Sequence, residues 1–252
     1  MKNYKMTLQY DGTRYKGWQV LNNTDMTIQG KLENVLSKLA GKPVEVIGSG
    51  RTDAGVHAKG QVANFHMREG FVAEEIWEDL NRHLPEDIAV VALEEVPERF
   101  HSRYQAVEKT YRYVIHTSTV PNVFERKYRY TYTEPLDVEL MKKAARLLCG
   151  EHDFAAFCGN KKMKKSTVRV VKNIHITEEQ DCIIIDYTGN GFLQNMVRIL
   201  TGTLIEVGRK ERPWDSMSAL LETKDRSQAG YTVPPQGLML MKVNYETVDR
   251  IQ

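Results

Sequence analysis

Apolar and polar residues alternate from Tyr4 through Met6, Leu8 and Tyr10, and the run stops at Asp11-Gly12. Alternation with a period of two marks a half-buried strand, and an Asp-Gly pair marks the turn that ends it. The period changes after Thr27: Ile28, Leu32, Val35, Leu36 and Leu39 fall on one helical face, with Gly41 as a C-terminal stop. Val44–Ile47 and Gln61–His66 read as strands separated by a glycine-punctuated loop. A short helix near Glu74–His83 and a strand at Ile88–Val96 complete the first half. The second half repeats the pattern. Thr110–His116 and Tyr128–Thr133 are strand-like, and Val138, Met141, Ala144, Ala145 and Leu148 form a helical stripe. Cys182–Thr188 is an apolar run too short for a helix and reads as a buried strand. A longer helix carries Phe192, Met196, Ile199, Leu200, Thr203 and Val207 and ends at Gly208; a further helix near Trp214–Leu221 precedes a closing strand at Leu238–Tyr245.

Strands mixed with helices in both halves predict an α+β protein of two units, each with mostly antiparallel sheet covered on one side. The expected division is 1–105 and 106–252. Composition adds little to this and removes several classes of function. Hydrophobic residues make up 41% and charged residues 27%, as in an ordinary globular protein. A formal charge of +2 is too small for a polyelectrolyte binder, so any nucleic-acid partner needs basic residues gathered on one face. Three cysteines (Cys149, Cys158, Cys182) make no disulfide framework. Met1–Met6 has no apolar core of signal-peptide length, and no run approaches the roughly 18 apolar residues of a membrane span. A cytoplasmic protein with no membrane association is expected.

The chemistry concentrates in Gly48-Ser49-Gly50-Arg51-Thr52-Asp53-Ala54-Gly55-Val56-His57-Ala58. Three glycines around one arginine and one aspartate make a tight loop that brings backbone close to another group. From Ile47 to Met67, Asp53 is the sole acidic residue, with Arg51 two positions before it and His57 four after. A lone carboxylate beside fixed positive charge stays ionised and suits nucleophilic or general-base work. By composition alone the same loop also reads as a plain turn, with the aspartate capping its own backbone.

This segment resembles the signature of TruA-type tRNA pseudouridine synthases, and the likeness spans nearly the whole chain. Tyr10-Asp11-Gly12-Thr13 with Gly17-Trp18-Gln19, Thr27-Ile28-Gln29-Gly30, Asn81-Arg82-His83-Leu84-Pro85, and Phe100-His101-Ser102-Arg103 before Lys109-Thr110-Tyr111-Arg112-Tyr113 follow in the family's order. Gly191-Phe192-Leu193-Gln194-Asn195-Met196-Val197-Arg198 and Pro234-Pro235-Gln236-Gly237-Leu238 match its remaining motifs. The resemblance implies that Asp53 is the catalytic aspartate, Tyr111 the aromatic stacked on the target uracil, and Arg198 the partner of Asp53. It implies Arg51 as an arginine that helps hold the flipped nucleotide and Leu238 as an apolar wall. It also implies two RNA-recognition-like (ferredoxin-like) subdomains with a catalytic cleft between them, and a homodimer that docks tRNA. The implied targets are uridines of the anticodon stem-loop at tRNA positions 38, 39 and 40. Two stretches depart from the family pattern: Ala229-Gly230-Tyr231-Thr232-Val233-Pro234, and the turn Gly208-Arg209-Lys210-Glu211-Arg212-Pro213.

The remaining candidates divide by the company they keep. Tyr111 and Tyr113 alternate in a strand, one expected to face the core and the other a surface. Arg198 lies three residues after Asn195, on the same side of an apolar helix, where partial burial calls for a carboxylate. Lys161, Lys162, Lys164 and Lys165, with Arg169 and Lys172 beyond, form the densest positive patch; they read either as a solvated loop or as phosphate contacts. Arg126, Lys127 and Arg129 have the same two readings. Cys149, His152 and Cys158 lack a fourth ligand for structural zinc, and Gly189-Asn190-Gly191 is too short for a dinucleotide fingerprint, so neither metal nor cofactor is expected. Two competing functions are a non-catalytic RNA-binding protein, which has no need of Asp53 and Arg198, and a carboxylate hydrolase, for which the loop lacks a second acid.

Overall fold

A computed structural model of the chain describes residues 1–160 and 162–246. The chain is mixed α and β with mostly antiparallel sheet, and one short pairing, that of Ile115–His116 with Tyr130–Thr131, is parallel. It divides into two compact units, one of Met1–Val107 with the residues from Leu240 onward, the other of Glu108–Met239. The expected division at 1–105 and 106–252 lies close to the first of these boundaries, and Leu240–Glu246 groups with the first unit.

In the first unit the order is β1 (Lys2–Tyr10), α1 (Ile28–Ala40), β2 (Val46–Gly48), β3 (His57–Met67), α2 (Ala73–His83) and β4 (Ile88–Val96). β1 lies between β4 and β3, antiparallel to both, and β2 pairs with β3 along Ala63–Phe65. Tyr4, Met6 and Leu8 are fully buried, as the alternation in β1 predicts. α1 begins where expected because the buried Thr27 hydroxyl accepts the Gly30 amide at 3.2 Å. It ends at Gly41, whose φ of 67° suits glycine better than any other residue.

The second unit runs β5 (Ala106–His116), β6 (Tyr130–Thr131), α3 (Val138–Leu147), β7 (Gly150–Asp153), β8 (Val168–Glu179), β9 (Cys182–Gly189), α4 (Met196–Gly208) and α5 (Ser216–Thr223), before β10 (Leu238–Tyr245). Its sheet order is β5-β9-β8-β7, and β6 adds a two-residue parallel pairing to β5. α3 is capped by Asp137, whose carboxylate accepts the Leu140 amide at 3.1 Å. α4 is buried on nearly every side, which is why its apolar residues show little amphipathic contrast.

Three expectations change. β8 has no counterpart in the sequence-based elements: it turns Val171, Ile174 and Ile176 inward and polar residues such as Lys172, His175 and Thr177 outward, with a register shift between Val171 and Asn173 that breaks the period of two. The strand expected over Tyr128–Thr133 contracts to Tyr130–Thr131, because Glu125–Tyr128 closes a turn. Tyr111 and Tyr113 do not divide between core and surface; both are buried, at 8% and 0% exposure, since residues two apart point to the same side of a strand.

Candidate active site

Asp53 lies on the loop that joins β2 to β3 and is half-buried. Its carbonyl accepts the Val56 amide at 3.1 Å, closing the turn that presents it. A second loop clamps this one. The Trp18 amide donates to the Thr52 carbonyl at 3.0 Å and the Gly55 amide to the Tyr15 carbonyl at 3.3 Å. The approach is close enough to require glycine: a Cβ on Gly12 would sit 2.0 Å from the Val56 oxygen, and one on Gly17, at φ 103°, would sit 2.7 Å from the Thr52 oxygen. The sequence-level match of Asp11-Gly12-Thr13 and Gly17-Trp18-Gln19 with the aspartate motif thus has a physical cause, since the two stretches are halves of one clamp.

Beneath the loop is a buried polar network. The Tyr10 hydroxyl lies 2.8 Å from Thr52 Oγ1, the Ser49 hydroxyl donates to Gln61 Oε1 at 2.7 Å, and Gln61 Nε2 donates to the Gly50 carbonyl at 3.0 Å. Burial, against the pull of its bonds to Thr52 and Gln61, pushes the Tyr10 hydroxyl up to about 12. Tyr10, Ser49, Thr52 and Gln61 are not marked as functional by sequence pattern; the available signal is that all four lie within or beside the motifs that surround Asp53. Asn64, three residues beyond Gln61 in β3 and so on the strand's other face, does similar work for another motif. Its side chain donates to Asn3 Oδ1 at 3.1 Å and accepts the Ser102 amide at 2.9 Å, pinning Phe100-His101-Ser102-Arg103 to β3.

Arg51 is exposed on the same loop. His57, four residues past Asp53, is turned inward onto the Gly12 stretch. It is 1% exposed, and its Nδ1 accepts the Gly12 amide at 3.0 Å. Nδ1 also lies 3.2 Å from Asp11 Oδ1, but a nitrogen that receives an amide hydrogen has none of its own to donate, and the amide contact meets the stricter geometry.

In the second unit, Tyr111 sits on β5, 8% exposed, with the edge of Phe192 against it at a centroid distance of 5.4 Å and an interplanar angle of 85°. Arg198 is in the first turn of α4 and partly buried. Its Nε donates to the Val233 carbonyl and its Nη1 to Asn195 Oδ1, each at 2.8 Å. Asn195 takes a left-handed conformation, φ 59°, and packs so tightly under Gly159 that a Cβ there would meet its Nδ2 at 2.6 Å. The planar guanidinium is therefore oriented from two sides. The divergent stretch Ala229–Pro234 is less remote from the candidate residues than its sequence position implied, because Val233 holds Arg198 directly. Leu238 opens β10 and is 5% exposed.

Of the basic patch, Lys161 lies outside the described residues. Lys162, Lys164 and Lys165 are exposed. Lys164 and Lys165 line an open cavity of about 690 Å³ whose other walls include Lys224, Arg226 and Asp153. The Thr167 hydroxyl and then Lys224, 2.9 Å away, hold the Asp153 carboxyl below its ordinary value. Arg169 bends back onto the Ser166 and Val168 carbonyls, at 2.9 and 2.6 Å, and burial lowers its affinity for its proton. Lys172 is tied to Glu108 at 2.7 Å, and Arg129 pairs with Glu125. The Cys149 thiol donates to the Ala145 carbonyl at 3.5 Å, and the Cys158 thiol lies 3.7 Å from Met163 Sδ.

A family model described as tRNA pseudouridine synthase matches residues 6–105 and 144–246. A tRNA pseudouridine synthase A of Bacillus sp. (strain KSM-64) is 50% identical over 97% of this chain and 100% of its own length. A tRNA pseudouridine synthase A 2 of Bacillus anthracis is 47% identical, and a tRNA pseudouridine synthase A of Thermoanaerobacter sp. (strain X514) 44% identical, each over the same shares of both chains. The first matched block contains the clamped aspartate loop and the second contains Arg198, Val233 and Leu238. With that span of its length matched, and the aspartate motif inside the match, the chain belongs to the tRNA pseudouridine synthase family, whose members are isomerases.

Proposed function

We propose that this chain converts uridine to pseudouridine in the anticodon stem-loop of tRNA, at positions 38, 39 and/or 40, with Asp53 as the catalytic carboxylate. The observation that carries this reading is the held carboxylate loop: a half-buried aspartate on a turn clamped by Gly12, Gly17 and Trp18. The isomerisation breaks the N1–C1′ bond, turns the base and joins C5 to C1′. A carboxylate kept in one place can attack the ribose or the base, or remove a proton. Arg198 is read as its arginine partner and Arg51 as a contact to the flipped nucleotide. Tyr111 offers the extruded uracil a stacking surface, worth about 1–3 kcal/mol against the few kcal/mol that unstacking costs. Leu238 supplies an apolar wall. Lys161, Lys162, Lys164, Lys165 and Arg169 are assigned to phosphates, which the cavity bordered by Lys164, Lys165, Lys224 and Arg226 supports.

The reading extends to architecture. The β-α-β-β-α-β order of the first unit, with its antiparallel β4-β1-β3-β2 arrangement, supports a ferredoxin-like subdomain of the RNA-recognition kind. A cytoplasmic homodimer working without cofactor completes the proposal; no helix among the described residues is long and apolar enough to cross a membrane.

The deciding experiment is tritium release from tRNA labelled at uridine C5, because forming the C5–C1′ bond must expel that hydrogen. Wild type releases tritium, and Asp53→Asn binds tRNA but releases none. Wild type that binds tRNA and releases nothing across a broad tRNA pool points instead to a binding protein. Mapping the product by nuclease digestion tests positions 38 to 40.

A further inference from the structure

We propose that Gln61 is a positioning residue for the reaction, acting through a buried polar network that fixes the loop carrying Asp53. The inference rests on the reading of Asp53 as the catalytic carboxylate. Gln61 is 0% exposed on β3 and bonds at both ends of its amide. Oε1 accepts the Ser49 hydroxyl at 2.7 Å and the Val62 amide at 3.1 Å. Nε2 donates to the Gly50 carbonyl at 3.0 Å and reaches the Tyr10 hydroxyl at 3.5 Å. The orientation of the amide follows from its partners, since the Val62 N–H can only donate and the Gly50 carbonyl can only accept. Tyr10 then carries the network to Thr52 Oγ1, 2.8 Å away. Ser49, Gly50 and Thr52 are three of the four residues before Asp53.

Packing alone does not call for this residue. A buried amide with its donors and acceptors matched is exacting to accommodate, whereas a hydrocarbon of the same length fills the space without needing partners. What the amide adds is direction: it ties the entry of the loop to the strand from below, while the Gly12–Trp18 clamp holds Thr52, Gly55 and Val56 from the other stretch of chain. A reacting group displaced by about 1 Å can lose on the order of 100-fold in rate, so a device that fixes the loop from below bears on the chemical step rather than on tRNA affinity.

The test compares full-length wild type, Gln61→Met, Gln61→Glu and Asp53→Asn. It measures the single-turnover rate of tritium release from C5-labelled tRNA, the Kd for the same tRNA, and thermal unfolding. Gln61→Met is expected to stay folded, to bind within about twofold of wild type, and to turn over about 10- to 100-fold more slowly. Gln61→Glu adds a signature that a packing role cannot produce. Its protonated acid still has a hydrogen for the Gly50 carbonyl and its anion has none, and burial raises the carboxyl pKa. Its rate therefore falls as pH rises, with an inflection that wild type lacks, and recovers toward wild type at the acid end.

Wild-type turnover by both Gln61 variants, with Asp53→Asn inactive, overturns the positioning role and leaves the Asp53 reading intact. So does a rate loss matched by equal losses in binding or folded fraction. Full activity of Asp53→Asn overturns the Asp53 reading itself, whatever the Gln61 variants do. If the Gln61 variants fail to fold, Tyr10→Phe and Thr52→Val decide by the same readouts. Each is expected to slow turnover several-fold with binding kept, and the double variant no more than the worse single one; additive effects, or none, overturn the proposal.

Discussion

Arg198 uses two nitrogens on Val233 and Asn195, a geometry that needs the planar fork. Arg198→Lys keeps the charge but cannot make both bonds at once, so single-turnover tritium release is expected to fall about 10- to 100-fold with the protein still folded. Equal rates for the two proteins refute the importance of that orientation. Tyr10 makes a prediction about pH. Its folded hydroxyl is raised from 10.0 to about 12, chiefly by burial. Below the unfolded value both states keep the proton and pH has no leverage; between the two values the unfolded chain releases it first, so stability falls as pH rises. Urea unfolding near pH 9 and near pH 11 is expected to show a loss that is smaller in Tyr10→Phe by about 1 kcal/mol. The polar residues of this network were hard to find in the sequence, because a buried glutamine and an exposed one look alike until their neighbours are known.

Elements were easier to read where local chemistry decides them. α1 has a threonine cap, a spaced apolar face and a left-handed glycine stop, so its limits follow from its own residues. Thr27→Ala is expected to cost about 1 kcal/mol in thermal or urea unfolding and to leave single-turnover chemistry unchanged. α4 is governed by what lies on it. A Cβ on Gly202 would meet the Tyr231 carbonyl at 1.9 Å, so the helix accepts the 229–234 segment only with glycine there. Gly202→Ala is therefore expected to destabilise the protein by on the order of 1–3 kcal/mol and, by shifting Val233, to slow turnover as well. A Gly202→Ala protein as stable as wild type removes the argument. β8 shows the opposite limit: its inward residues are ordinary valines and isoleucines, but a register shift interrupts their period, and only pairing with β9 reveals the strand.

The whole molecule carries a charge of only +2, so its use of RNA depends on where cations are placed rather than how many there are. Lys172 and Arg129 are spent on Glu108 and Glu125, while Lys164 and Lys165 border an open cavity. If both lysines meet phosphates, the double change Lys164→Ala/Lys165→Ala weakens tRNA binding and lowers the slope of log Kd against log salt by about 1 to 2, with single-turnover rate at saturation kept. An unchanged slope returns them to the status of a solvated loop.

Family, α+β class, most element positions and the aspartate loop are all legible in the order of residues, because strand period, helix caps and glycine turns are written in neighbouring residues. That Gly12 and Gly17 are spacers for the Asp53 loop, that Tyr111 and Tyr113 are both buried, and that His57 accepts a backbone amide emerges only in the folded chain. The same holds for Gln61 under the loop and Val233 on Arg198. Each of these depends on two stretches of chain, distant in sequence, coming within van der Waals or hydrogen-bonding range, and no periodicity along a single stretch encodes that.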